Sequence, residues 1–401
     1  MGQEEVCIMK KAAVLALVFV LAAACALCVT ACGEDGDDGN GETQSFDPAL
    51  QQQLQDTLEK IMVDNGIPGA MVYVEVPGEG KWEAALGLSD VEAERAMDLA
   101  DSYRVGSITK TFVATIILQL VEEGLLSLDD TLASLAVEPA VPAGDEITLR
   151  MLLNHTSGLF EYTSDESFQA MQQEDPLRKW APGELVAFAA DNEPYFAPGE
   201  GWQYSNTNFI LQGIIIEQLT GNQLADEIAS RITGPLELSR TFLPSQPEMS
   251  GEHSHGYLYA RDLGDAEGGG GDEFTDVTNT FDPSWAWAAG AMVSDLADLK
   301  IWVKALAEGD LLSDGLQQQR LTTVEAWQGS DYGLGIAEYA GFWGHPGDLP
   351  GFSSAMMYNP GSGAIIILTL NKNPNETGFA AYATFTEFVE ILFPTPNEES
   401  E

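Results

Sequence analysis

The chain has 401 residues, 45% of them hydrophobic and eight of them tryptophan, enough for one large domain or two lobes around a sizeable core. Lys and Arg total 17 against 63 Asp and Glu, a formal net charge of −46. A surface of that sign repels nucleic acid and anionic lipid headgroups, so neither is an expected partner.

Residues 1–32 read as a lipoprotein signal peptide. Lys10 and Lys11 precede an apolar run from Ala12 to Val29, long enough that a membrane-spanning anchor is the competing reading. Val29-Thr30-Ala31-Cys32 resembles a bacterial lipobox, which implies cleavage before Cys32 and lipidation of that cysteine. The expected protein is therefore exported and held in the cell envelope by a lipid anchor. All four cysteines fall inside this segment, so the body of the chain has neither a disulfide nor a thiolate metal site. Residues 33–45 contain no apolar side chain and read as an acidic flexible linker. A catalytic domain is expected over residues 46–395, followed by an acidic tail at 396–401.

Phe46 to Gly66 has the pattern of an amphipathic helix closed by glycine. "AMVYVEV" and "KWEAALGLS" then flank a Pro77-Gly78-Glu79-Gly80 turn, which predicts two strands. In "YRVGSITKTFVATIILQLVEEG", Val113, Ile116, Ile117, Leu120 and Val121 fall on one helical face, and Gly124 is placed to stop the helix. Ser107 and Lys110 lie in its first turn, three residues apart, so the lysine reaches the hydroxyl at the positive end of the helix dipole. Taken alone, the pair also suits a capping serine and a lysine whose stem covers apolar surface.

From about 125 to 290 the pattern is helices joined by Pro- and Gly-rich loops, with "LLNHTSGL" and "PGEGWQYSNTNFILQGIIIEQLTG" as its clearest segments and "LGDAEGGGGDEF" as a surface loop. Strands return with "YGLGIAEYAGFWGH", "SSAMMYNP" and "AIIILTLNKN", and "GFAAYATFTEFVEILF" makes a last helix. The expected class is α/β (α+β): an antiparallel sheet built from N- and C-terminal segments, flanked by helices, with a mostly helical lobe inserted over about 111–290.

Three short motifs occur in order: Ser107-Ile108-Thr109-Lys110, Tyr204-Ser205-Asn206 about a hundred residues later, and His345-Pro346-Gly347 on a predicted strand. The ordered set resembles the S-x-x-K, Y-x-N and H-x-G (or K-T-G) motifs of serine penicillin-recognising hydrolases. That family includes class C beta-lactamases, D-Ala-D-Ala carboxypeptidases of the same type, and related esterases and D-aminopeptidases. The resemblance covers roughly residues 47–393 and implies a beta-lactamase/transpeptidase-like fold.

It also implies roles. Ser107 is the nucleophile and forms an acyl-enzyme, and Lys110 lowers the cost of its deprotonation. Tyr204, near a cation, is a proton shuttle as a partial phenolate. Asn206 orients Lys110 and the substrate. The backbone N–H groups of Ser107 and Asp348 form the oxyanion hole, with Gly347 leaving room for substrate. His345 replaces a lysine and positions substrate or assists Tyr204. Pro346 requires an edge or a deformed strand, and the Asp348 carboxylate must turn away from the oxyanion hole.

The substrate is expected to be a small-molecule or peptide acyl donor, neutral or cationic, since −46 and a histidine in place of lysine disfavour an anion. No metal and no cofactor are implied. His155 reads as part of a turn in the helical lobe, His253 and His255 as a surface loop, and Trp285 and Trp287 as core. The chain has no G-x-S-x-G and no H-E-x-x-H, which disfavours an α/β-hydrolase or zinc hydrolase. The alternative from another class is a catalytically silent, lipid-anchored binding protein of the same fold. Three intact motifs argue against it.

Overall fold

A computed structural model describes residues 44–259, 274–327, 329–373 and 379–394. The signal peptide with Cys32, the linker up to residue 43, residues 263–273 of the glycine-rich loop and the acidic tail lie outside the described residues.

The helices used below are α1 (Pro48–Asn65), α2 (Thr109–Glu122), α3 (Leu149–Leu153), α4 (Glu166–Glu174), α5 (Pro182–Ala190), α6 (Thr207–Thr220), α7 (Leu224–Ile228), α8 (Trp287–Gly290), α9 (Leu296–Glu308), α10 (Asp314–Arg320) and α11 (Ala380–Leu392). Strands β1 (Gly69–Val76), β2 (Gly80–Asp90) and β3 (Arg95–Ala96) come from the N-terminal part. Four short strands follow. Of these, β4 (Tyr103–Arg104) pairs with β7 (Val293–Ser294), and β5 (Tyr257–Tyr259) with β6 (Phe274–Asp276). The C-terminal part supplies β8 (Val324–Glu325), β9 (Asp331–Tyr332), β10 (Ala337–Tyr339), β11 (Phe342–Leu349), β12 (Phe352–Asn359) and β13 (Ala364–Leu370).

The main sheet has nine strands in the order β3-β2-β1-β13-β12-β11-β10-β9-β8, every pairing antiparallel. Both ends of the chain meet at its centre, where Val72 pairs with Leu368. The expected α+β architecture with its inserted helical lobe is thus the observed one.

Alternation along β13 explains its uninterrupted apolar run. Ile366, Leu368 and Leu370 face a core made with Leu54 and Leu58 of α1 and Phe385 and Phe388 of α11. Ile365 and Ile367 face the larger core of the helical lobe. A strand covered on both faces has no polar side to show. Each fully buried Leu, Ile or Phe here contributes about 1.5–3 kcal/mol. Phe46 is buried in the first core, and Ser45 forms a bridge to Lys81, so sheet contacts begin just before the expected domain start.

Helix α2 differs from its expected one-faced pattern. Every residue from Thr109 to Leu118 is buried, because the helix runs through the lobe rather than over it. Its threonines tolerate this by bonding back to the preceding turn: Thr109 Oγ1 donates to the Gly106 carbonyl at 2.8 Å, Thr111 to Ile108 at 2.7 Å and Thr115 to Thr111 at 2.7 Å. Gly124, at φ +72°, follows its C-terminal end as predicted.

Candidate active site

Ser107 sits in a 3-10 turn, Gly106–Ile108, immediately before α2. The turn is pinned from both sides: the Val105 N–H donates to Met292 O at 3.0 Å, and the Met292 N–H donates to Thr109 Oγ1 at 3.1 Å. Its other flank lies against β11. Strand β10 pairs only with Phe342–Gly344, so beyond Gly344 that edge of β11 is free to receive the turn. The edge position required by Pro346 is therefore present, and Pro346 lies opposite Ala355 of β12.

Two glycines make this seam possible. A Cβ on Gly106, whose φ is +56°, would fall 2.6 Å from the Asp348 nitrogen. A Cβ on Gly347 would fall 2.0 Å from the Val105 carbonyl oxygen and 3.0 Å from the Ser107 nitrogen. The missing side chain at Gly347 thus makes room for the nucleophile's own backbone, not for substrate as expected from sequence. It also brings the backbone nitrogens of Ser107 and Asp348 to one seam, where an oxyanion hole requires them.

Lys110 is wholly buried and its Nζ has three partners: Ser107 Oγ at 3.0 Å, Asn206 Oδ1 at 2.7 Å and the Ala289 carbonyl at 2.6 Å. An ammonium donates to all three. A neutral amine donates two N–H groups to Asn206 and Ala289, which only accept, and turns its lone pair to the Ser107 hydroxyl. Burial lowers the Lys110 pKa to about 7, against an opposing effect of Glu161, so the neutral form is accessible near neutrality. The Nζ also lies 4.9 Å from the Tyr204 ring centroid and 5.5 Å from that of Phe209.

Tyr204 corrects an expectation. Its Oη is enclosed without a well-aligned hydrogen bond, and burial holds its pKa well above the usual tyrosine range. The nearby Ser107 hydroxyl works in the other direction, while Glu161 and Asp348 add to the rise. A phenol rather than a partial phenolate is favoured there, and the basic side chain within hydrogen-bond reach of the Ser107 hydroxyl is Lys110.

Asp348 turns away from the site. It lies opposite Ser353 on β12, and directly opposed residues share a face of the sheet. Ser353 Oγ accepts the Ala381 N–H at the start of α11, which places this face behind the sheet. Neither Asp348 carboxyl oxygen makes a well-aligned hydrogen bond, and burial raises its pKa to about 7 against a weaker effect of Ser353.

His345 is on the front face and buried. It does not bond to Tyr204: the ring centroids are 6.3 Å apart, and its Nε2 lies 2.8 Å from the Tyr332 hydroxyl. Burial, reinforced by Lys110, lowers its pKa to about 3, so it is neutral and is no cationic substitute for lysine.

Three contributors were not singled out from sequence. Glu161 accepts the Asn206 N–H through Oε2 and the Thr163 N–H and hydroxyl through Oε1, bringing a carboxylate to the lysine. Its only signal is its place just after "HTSGLF". Tyr332, in "YGLG", faces His345. Ala289 acts through its backbone carbonyl, which no side-chain pattern reveals.

His155 is a turn residue, at φ +62°, but also a clamp on the second motif. Its Nδ1 accepts the Ser205 N–H at 3.1 Å, its carbonyl accepts the Gln203 N–H at 3.0 Å, and its ring lies 4.3 Å from that of Tyr204. Burial, Lys110 and His345 hold its pKa well down, which keeps Nδ1 free to accept. His255 bonds to Asp276 at 2.6 Å and faces Asp90 at 3.7 Å, and no metal-binding cluster occurs among the described residues. Trp287 packs on Gly213 of α6, whereas Trp285 lines a small hollow with Arg104 and Leu349.

The sequence profile of the family described as Beta-lactamase matches residues 54–388. The chain is 27% identical to penicillin-binding protein 4* of Bacillus subtilis over 364 residues, 88% of this chain and 78% of that one. It is 32% identical to esterase EstB of Burkholderia gladioli over 215 residues, 51% of this chain and 55% of the esterase. A D-stereospecific amidohydrolase from Streptomyces superposes with a TM-score of 0.74 at 35% identity, covering 86% of this chain and 98% of that one. A buried lysine on the serine of a nine-stranded antiparallel fold and a match spanning nearly the whole described body agree: the chain belongs to the beta-lactamase family and is a serine hydrolase.

Proposed function

We propose that the protein hydrolyses an amide or ester through an acyl-enzyme on Ser107, with a neutral or cationic acyl group as substrate. The observation that carries this reading is the three-partner geometry of Lys110. Neutral Lys110 takes the Ser107 proton as Oγ attacks the carbonyl, and the resulting oxyanion is held by the N–H groups of Ser107 and Asp348. Tyr204, kept as a phenol, donates to the leaving nitrogen or oxygen and is reprotonated from Lys110. Water then releases the acyl group by the reverse transfers.

The preference for a neutral or cationic group is supported by the neutral His345, by the Glu161 carboxylate on the second motif and by the charge of −46. Likeness to the Streptomyces D-stereospecific amidohydrolase favours a D-configured amide. The test is hydrolysis of D- and L-amino acid amides, a simple acyl ester and a penicillin, with the intact mass of the protein followed alongside. Expected is Ser107-dependent turnover fastest with the D-amide or the ester, and a weak or absent penicillin adduct. Turnover surviving Ser107→Ala rules the mechanism out, and a lasting penicillin adduct with no amide turnover moves the substrate to the carboxypeptidase class.

We also propose export and lipid anchoring at Cys32, supported by Lys10, Lys11, the apolar run and Val29-Thr30-Ala31-Cys32. Labelled fatty acid should enter the wild-type chain in cells and not Cys32→Ala. Equal labelling of both refutes the anchor.

A further inference from the structure

We infer that Tyr332 is a positioning residue that locks the third motif, fixing His345 as a neutral imidazole whose two nitrogens are both engaged inside the protein. Hydrogen-bond chemistry assigns the protons. His345 Nδ1 contacts the Pro346 carbonyl, which can only accept, so Nδ1 carries the hydrogen. In a neutral ring Nε2 then only accepts, and the Tyr332 hydroxyl 2.8 Å away must be its donor.

The surroundings hold this arrangement. Tyr332 is fully buried and meets the His345 ring edge-on, with centroids 5.6 Å apart at 89°, while its other side meets His155 at 4.9 Å. The charged and titratable groups around His345 are Lys110 from α2, His155 from the turn after α3, Tyr204 from the loop before α6, and Tyr332 on β9. Glu161 stands behind Asn206, and Asp348 lies on the back of β11. Lys110 opposes a second positive charge, and among the described residues no carboxylate bonds to His345, so a protonated ring finds no counter-ion there.

The consequence rests on the acyl-enzyme reading above. Where the resemblance allows a lysine, the site holds a buried ring that offers neither a charge nor a free N–H. Tyr332 thereby sets specificity against acyl groups that carry a carboxylate.

The chain has four histidines, so the full-length protein with 15N-labelled histidine gives few enough imidazole signals to assign. In the wild type, His345 should be neutral from pH 5 to 8, with its proton on Nδ1. A charged ring at pH 6, or a proton on Nε2, overturns the assignment without any variant or turnover.

Tyr332→Phe keeps the ring and removes the donor. The His345 titration should then move to higher pH, and the preference for a butyryl over a succinyl ester of one phenol should narrow about fivefold. A folded variant with unchanged titration and ratio refutes the positioning role. If wild type turns over no ester or amide, the hydrolase reading falls while the tautomer measurement still decides the role of Tyr332.

Discussion

Lys110 Nζ stands 3.0 Å from Ser107 Oγ at the end of a side chain removed entirely from water. With its pKa lowered to about 7, the lysine is charged below neutrality and a base above it. The acid limb of kcat/KM should therefore fall about tenfold per pH unit below pH 7. Lys110→Ala should slow acylation by about 10²–10⁴ and remove that limb. Stopped-flow acylation across pH 5–9 measures both.

Ser107→Ala removes the proposed nucleophile and leaves the backbone contacts of its turn. Turnover should fall by at least about 10³-fold, with the thermal midpoint close to that of wild type. Steady-state kinetics and calorimetry on the same preparation check the pair of outcomes.

Gly347→Ala should break the seam between β11 and the Ser107 turn, since its Cβ would enter the Val105 carbonyl. Overpacking of this kind costs about 1–3 kcal/mol, and displacement of the oxyanion donors should lower kcat by about 10²-fold or more. Denaturant unfolding and kcat separate the two effects.

Asp348 should make the protein less stable as pH rises. Its folded pKa, about 7, lies above the ordinary carboxyl value of 3.8, so between those limits the native state binds the extra proton. Stability from this group is complete below about pH 4 and lost as pH passes 7. Asp348→Asn keeps the backbone N–H and should raise stability at pH 8 by on the order of 2 kcal/mol, with little change at pH 4. Urea titrations at the two pH values test the sign.

A net charge of −46 makes the folded state repel itself, and mobile cations screen that repulsion. The thermal midpoint should rise by about 5 °C or more between 0.1 and 2 M NaCl. An unchanged or falling midpoint would show that the acidic groups are spread too thinly to matter.

The strands and α1 and α11 were legible because each follows the spacing of its own hydrogen bonding, and α2 was legible as a helix though not as one buried on every side. Ser107, Lys110, Tyr204, Asn206 and His345 were legible as short motifs in order, and the structure places them together. What escaped was relational. Glu161, Tyr332 and the Ala289 carbonyl act through partners 45, 13 and 179 residues away, and nothing local marks them. A partial phenolate at Tyr204 is the reading that sequence suggests because a nearby cation is visible there, whereas the burial that raises its pKa is not.

The central pairing of β1 with β13 joins residues far apart in sequence, Val72 with Leu368. A growing chain carries Ser107 long before it has β11, the strand its turn packs against. Fragments ending before Ala364 thus contain Ser107 and Lys110 but lack β13, the strand that joins β1 to β12. The sheet is therefore closed by contacts of long sequence separation, a class that forms slowly in folding.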